Sequence, residues 1–312
     1  MPEFANPAGR RQIDRKTGSD EQMIHGSLDD FARARGLDLG RGAVALVIAE
    51  DATEIGSTVA HLIGLGFARV VLVAPDGLAD PGQFGEAAER MIFVRHATRT
   101  PGTAMKAVNA LIAQAPGRWL HYCFNGEYLF YPFCESRSIG EATAFVEEER
   151  RYSILTYVID LYAADLNAHP NAVALDTAYL DRSGYYAEAR PDMNGHPRER
   201  QLNFYGGLRW RFEEHVAPPK RKIDRVGLFR ARPGLTLRED HTLSDEEMNT
   251  YACPWHHSMT AAICSFRVAK ALRTNPGSRH DVQGFLWHRS TRFRWSSQQL
   301  MELGLIEPGQ WF

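Results

Sequence analysis

Cysteine is scarce: four residues in 312, at 123, 134, 253 and 264, with no two in a Cys-x-x-Cys spacing. That spacing leaves no zinc knuckle, and a disulfide framework is a poor reading. Buried, reduced thiols fit better, so the expectation is a cytoplasmic protein. An excess of one charge is also lacking. Lys and Arg number 36 against 38 Asp and Glu, a formal net charge of −2, so nothing in the bulk charge marks a nucleic-acid binder. The longest apolar runs, AVALVIA (43–49) and VVLVA (70–74), are strand-sized, far short of the roughly 18 residues a membrane helix needs. The polar opening MPEFANPAGRRQIDRKTGSDEQ has no apolar stretch and reads as a tail rather than a secretory signal. No internal repeat is visible.

What is present is an ordinary globular composition, 44% apolar and 24% charged, in a chain long enough for one large or two modest domains. From residue 43 strands alternate with helices. AVALVIA reads as a buried strand, and Asp51 with Glu54 three residues on resembles a capping box opening a helix. That helix stops at Gly66, and ARVVLVA is the next strand. Residues 102–117 place Ala104, Val108, Leu111, Ile112 and Ala115 on one helix face. WLHYC (119–123) and SILTYVIDLY (153–162) are further strands, separated by a helix whose Ser138 and Glu141 form a second capping box. Such alternation predicts a largely parallel sheet covered on both sides. Segments 181–205 and 213–224 are expected to be loops, 256–273 a helix with Met259, Ile263, Phe266 and Leu272 inward, and 296–303 a short helix. GLGF (64–67) follows a helix and precedes a strand, the reverse of a dinucleotide fingerprint, so Gly66 is read as a helix C-cap.

Ligands of open parallel sheets bind at the carboxyl ends of the strands, and four such ends carry polar groups: Glu50-Asp51, Asp76 with Asp80 nearby, Asn125-Gly126-Glu127, and Asp160. Each alone is explained by a cap or a turn. A sheet needs no such cluster at all four ends for its stability.

Three segments carry this pattern: AED-x9-HLIGLGF-x3-VLVAPDGLADPG (49–82), GRWLHYCFNGEYLFYP (117–132) and SILTYVIDLYAADL (153–166). Their order resembles that of the family-2-like glycosyltransferases with the GT-A nucleotide-sugar fold. The resemblance covers roughly 42–166, and GGLRWRF (206–212), a double glycine followed by spaced arginines, looks like a further family feature. It implies a Rossmann-like, mostly parallel sheet with helices on both faces. By region it implies a polar tail and short helix (1–40), a GT-A-like domain (41–250) and a C-terminal helical and loop extension packed on it (251–312).

The resemblance also implies transfer of a sugar from a nucleotide-sugar donor to a glycan or lipid-linked acceptor, with inversion. Glu50, Asp51, Asp76, Asp80, Asn125 and Glu127 would face the donor. The family's Asp-x-Asp-Glu falls on Phe124, Asn125, Gly126 and Glu127, so the carboxylate pair that grips Mn²⁺ or Mg²⁺ is missing. Only Glu127, helped by His256 or His257, would hold a metal. Arg209 and Arg211 are the candidates to neutralise the donor diphosphate in its place. Asp240 and then Asp160 are the candidate general bases. The basic run Lys220, Arg221, Lys222 and Arg225 suggests contact with the inner face of a membrane. From a different class, a non-catalytic nucleotide-sugar- or glycan-binding relative with a decayed metal site remains open.

Overall fold

Both faces of the strand Val44–Ile48 are apolar and both are buried. Val44, Leu46 and Ile48 belong to one core, Ala45 and Val47 to another. A strand apolar on both sides belongs inside a parallel sheet with helices on each face, and the molecule is built that way. The computed structural model describes residues 24–251 and 258–311; His256 and His257 lie outside them.

The strands in chain order are β1 (Ile24–His25), β2 (Val44–Ile48), β3 (Arg69–Ala74), β4 (Met91–Arg95), β5 (Trp119–Phe124), β6 (Glu127–Phe130) and β7 (Ser153–Ala163). They continue with β8 (Ala178–Asp181), β9 (Tyr186–Pro191), β10 (Pro197–Tyr205), β11 (Asp224–Arg230), β12 (Ala261–Ser265) and β13 (Ser290–Arg292). The helices are α1 (Leu28–Arg33), α2 (Ile55–Gly64), α3 (Thr103–Gln114), α4 (Ile139–Glu148), α5 (Gly207–Arg211), α6 (Arg267–Thr274) and α7 (Ser297–Glu302). The central sheet runs β1-β4-β3-β2-β5-β11-β7-β12-β6. β1 to β5 are parallel, β11 is antiparallel to β5 and β7, and β6 is antiparallel to β12. Helices α2 and α4 pack on one face and α1 and α3 on the other, each in its own apolar cluster. The fold is a mixed α/β layer structure with a large, mostly parallel sheet, as the alternation predicts.

Four local expectations change. Asp51 does not cap α2; the helix starts at Ile55 behind Glu54, which takes a left-handed φ of 58° and makes no side-chain cap. Asp51 Oδ1 instead accepts the Thr53 N–H at 2.9 Å. Residues 181–205 are not all loop but hold the β9–β10 hairpin, and β4 and β11 were not anticipated. The expected helix at 256–273 is a strand and then a helix, with β12 wedged between β7 and β6. An apolar run this short has no period that separates a buried strand from a buried helix. The C-terminal segment therefore adds a central strand to the sheet as well as packing helices on it.

The register of β12 aligns polar groups from three strands. Ser265 lies opposite Asp160 of β7 on one side and Glu127 of β6 on the other, so these residues form one row across the sheet.

The Ser138 capping box is formed: Ser138 Oγ accepts the Glu141 N–H, and Glu141 Oε2 accepts the Ser138 N–H at 2.8 Å. Ser138→Ala should cost about 1 kcal/mol and lower the thermal midpoint by roughly 2 °C. An unchanged midpoint in calorimetry would show that the box does not hold α4.

Candidate active site

A cleft of about 610 Å³ opens where β2, β3 and β4 end, lined by Glu50, Asp51, Asp76, Gly77, Thr98 and Arg99 among others. Glu50, Asp51 and Asp76 are therefore brought together, as the strand-end reading expects. Asp80 does not line the cleft. It is exposed and held at 2.6 Å by Arg95, which also lies 3.8 Å from Asp76.

Two of the acids that line the cleft are paired with cations of α6. Arg267, the first residue of α6, donates through Nε and Nη2 to both Glu50 oxygens at 2.7 Å. Lys270, one turn on, sits 2.9–3.0 Å from both Asp51 oxygens. Burial alone would raise the Asp51 pKa; Lys270, the Thr53 N–H and the Asn125 amide together hold it below the usual value. Arg99 donates to the Glu50 carbonyl at 2.8 Å. The guanidinium of Arg267 lies 3.7 Å over the ring of Phe124.

Asn125 and Glu127 face inward. Asn125 is fully buried. Its Oδ1 accepts the Glu50 N–H, and its Nδ2 donates to Asp51 and to the Thr53 carbonyl. Its role is to pin the loop after β2 to the end of β5, which corrects the expectation that it touches a donor. Gly126 holds a φ of 76° and gives its N–H to Thr58.

Glu127 is also fully buried. It accepts from Arg225 Nη1 at 2.7 Å, Arg225 Nη2 at 3.3 Å, Ser265 Oγ at 3.0 Å and the Phe124 N–H at 2.9 Å. Burial pushes its pKa up, but the Arg225 charge and hydrogen bonds outweigh that and hold it near about 2. A carboxylate so engaged has no lone pair to offer a cation without releasing Arg225. Phenylalanine and glycine supply none, and the Asn125 oxygen is taken. Expected as the metal ligand, Glu127 is instead the acid of an internal ion pair. The described residues hold no group of three His, Cys, Asp or Glu side chains that could bind a metal.

The arginines nominated from GGLRWRF lie elsewhere. Arg211 donates to Asp181 and to the Phe285 carbonyl at 2.6 Å, with Trp287 stacked at 4.7 Å. Arg209 is buried, donates to the Lys220 and Lys222 carbonyls, and lies 3.9 Å from Asp160. The double glycine serves packing: a Cβ on Gly207, whose φ is +61°, would meet Asp160 Oδ2 at 2.8 Å, and one on Gly206 would strike Tyr185. Asp160 is 1% exposed, and one of its oxygens accepts the Leu208 N–H. Burial raises its pKa to about 6 against the pull of the distant Arg209. Asp160 is thus sealed behind α5.

Asp240 is the better exposed of the two nominated bases. Its Oδ1 accepts from the Thr242 N–H and hydroxyl. Its neighbour His241 takes a left-handed φ of 65° and stacks on Tyr122, with Nδ1 at 3.0 Å from the phenol oxygen. Burial, then the charges of Arg225, Arg267 and Arg209, push His241 down to about 3, which keeps the imidazole neutral. The basic run 220–225 is not one surface, since Arg221 pairs with Glu213 and Arg225 is interior.

Sequence reasoning put Arg225 in a surface basic run, whereas it is interior, and missed His241, Arg267 and Lys270 as site residues. The signal for the last two is their spacing of three on one helix side, a spacing that fits a solvated face equally well.

No family model and no curated protein matches the chain. Among solved structures, it is similar to S. aureus TarS 1–349 in complex with UDP at 15% identity, covering 50% of this chain and 43% of that one, with a TM-score of 0.28. A second structure of S. aureus TarS 1–349 gives 17% identity, coverage of 37% and 35%, and a TM-score of 0.27. A UTP-bound UGPase from Acinetobacter baumannii gives 10% identity, coverage of 77% and 96%, and a TM-score of 0.32. The chain thus spans less than half the length of the TarS fragments. Likenesses this slight assign it neither a ligand nor a reaction.

Removing one partner of a buried ion pair strands the other, so Glu127→Gln should cost about 3–5 kcal/mol in urea unfolding. Glu127→Gln with Arg225→Leu should recover part of that loss. A single variant as stable as the parent would contradict the pairing. Asp160 tests the opposite sign. Its raised pKa favours folding fully below about pH 4, and this contribution is lost as pH climbs through 6. Asp160→Asn should therefore gain stability over the parent between pH 4 and 7.5, on the order of 2 kcal/mol. A pH-independent difference would mean that burial does not raise this group.

Proposed function

We propose that this chain transfers a sugar from a nucleotide-sugar donor to a glycan or lipid-linked acceptor, and that it binds the donor without a tightly held metal. The observation that carries the reading is the cleft at the ends of β2, β3 and β4. Carboxylates that can take ribose or base donors line it, and Arg267 and Lys270 are paired with two of them. Polar groups for recognition, with positive charge fixed beside them, suit a nucleoside joined to a diphosphate. The strand-end motifs of the family-2-like glycosyltransferases supply the sugar-transfer part of the reading, including inversion.

In that chemistry a base takes the acceptor proton while the diphosphate leaves. Asp240 is the group we assign to it, because Asp160 is sealed behind α5. His241, neutral and held over Tyr122, would orient rather than shuttle protons. No helix among the described residues is long and apolar enough to cross a membrane, so a lipid-linked acceptor would be met at a surface.

One observation favours a second reading, a donor-binding protein that no longer reacts. The acids at the ends of β2, β5 and β7 each face a cation, leaving none of these carboxylates unpaired among the described residues.

A thermal-shift screen of UDP-, GDP-, CMP- and dTDP-sugars, with and without EDTA, tests both. At least one donor at a hundred times its Kd should add about 2.7 kcal/mol, with or without chelator. If none shifts the melt, the nucleotide-sugar reading fails. A donor that binds but is neither hydrolysed nor transferred, in the parent and in Asp240→Asn alike, would select the non-reacting protein.

A further inference from the structure

The divalent cation implied by the resemblance does not fit this strand end. Phe124 and Gly126 carry no ligand atom in their side chains, Asn125 has both amide groups engaged, and Glu127 already accepts four hydrogen bonds. We infer that Arg267 and Lys270 of α6 stand in for that cation and form the diphosphate subsite of the cleft. The inference rests on the nucleotide-sugar reading above and adds where the leaving group is held.

Three observations converge on these two side chains. Arg267 and Lys270 are bonded to Glu50 and Asp51, both of which line the cleft. Their cationic ends are therefore within one carboxylate of it. Together they carry two positive charges, the charge of the metal they would replace. Arg267 uses only Nε and Nη2 on Glu50, so Nη1 has no protein partner among the described residues, and its side chain is 32% exposed.

The residue at the lost aspartate is the second observation. Phenylalanine is useless to a hard cation, which takes oxygen ligands. A ring face is well suited to a guanidinium, and Phe124 holds Arg267 at 3.7 Å. The loss of the carboxylate and the presence of Arg267 are one arrangement, with the ring fixing the plane of the fork. Third, the arginines nominated from the sequence are bound elsewhere, Arg209 beside Asp160 and Arg211 to Asp181, so neither is placed to meet a diphosphate in the cleft. Because Glu50 and Asp51 hold the two cations in place beforehand, binding costs little reordering of long side chains.

The experiment is calorimetric titration of ADP, GDP, CDP, UDP and dTDP, and of the matching nucleosides, into the parent and its variants in excess EDTA and then in Mn²⁺. For the nucleotide that binds, Arg267→Gln and Lys270→Gln should each lose about tenfold in diphosphate affinity, about 1.4 kcal/mol. Nucleoside affinity should stay within about twofold. Arg267→Lys should recover part of the loss. The parent should bind the diphosphate equally in EDTA and in Mn²⁺.

If Arg267→Gln does not fold, Glu50→Gln with Arg267→Gln keeps a neutral hydrogen-bonded pair and should bind the diphosphate about tenfold more weakly than Glu50→Gln alone, with nucleoside affinity equal in the two. Two results overturn the inference while leaving the nucleotide reading intact. One is a folded Arg267→Gln protein that binds the diphosphate as the parent does. The other is a parent whose diphosphate affinity collapses on chelation. If no diphosphate binds the parent, the nucleotide reading falls and the inference with it.

Discussion

The contact on which the sheet's carboxyl edge depends is the ion pair of Glu127 and Arg225. Glu127 begins β6, Arg225 lies in β11, and the remaining bonds to Glu127 come from Ser265 of β12 and the Phe124 N–H of β5. One carboxylate thus ties four strands drawn from three distant parts of the chain. Taking two charges out of water is costly, and only near-complete hydrogen bonding offsets it. That completeness is seen here: Glu127 is held near about 2 and Arg225 is raised. The pair of Asp160 and Arg209 shows the other outcome. At 3.9 Å the attraction does not outweigh burial, so the acid is raised and the base lowered.

The choice of partner for Glu127 decides what the strand end can do. A carboxylate committed to an internal guanidinium cannot also bind a metal. Phe124 is a surface on which Arg267 lies, with Arg225 5.5 Å from the same ring. Positive charge at this edge is therefore built from side chains of β11 and α6, in a setting where each cation has an acid within hydrogen-bond reach. His241 responds to the same field, which keeps its imidazole neutral.

The layered α/β fold was legible because β2, β3, β5 and β7 are apolar on both faces and α3 and α4 carry a clear 3.6-residue stripe with a stop or a capping box. The cleft was half legible. Glu50, Asp51 and Asp76 follow from the rule that ligands sit at strand ends, and that rule needs only the strands to be right. Glu127 was visible as a polar residue in an apolar stretch. Whether it faced a metal or an arginine depended on Arg225, 98 positions away, and no local pattern carries that. Arg267 and Lys270 were hidden for a related reason. A helical reading of the segment before them loses their connection to the sheet edge through β12, and with it their approach to Glu50 and Asp51. The double glycine stands out in the sequence but serves another end: it admits Asp160 and Tyr185 rather than a phosphate.

A site made of fixed side-chain cations differs in kind from one made with a metal. A metal recruited with the substrate brings charge that can leave with the product, whereas Arg267 is anchored by two hydrogen bonds to Glu50 and one ring face. Donors already oriented before the leaving group develops charge need no reorganisation at that moment, which is where such groups contribute most. The same anchoring exacts a cost: Glu50 and Asp51 attenuate the field that a phosphate would feel, so affinity must come from geometry and from the unengaged N–H groups rather than from bulk attraction. That balance suits a chain whose formal charge is only −2 and which pairs acids with bases beside the cleft at its strand ends.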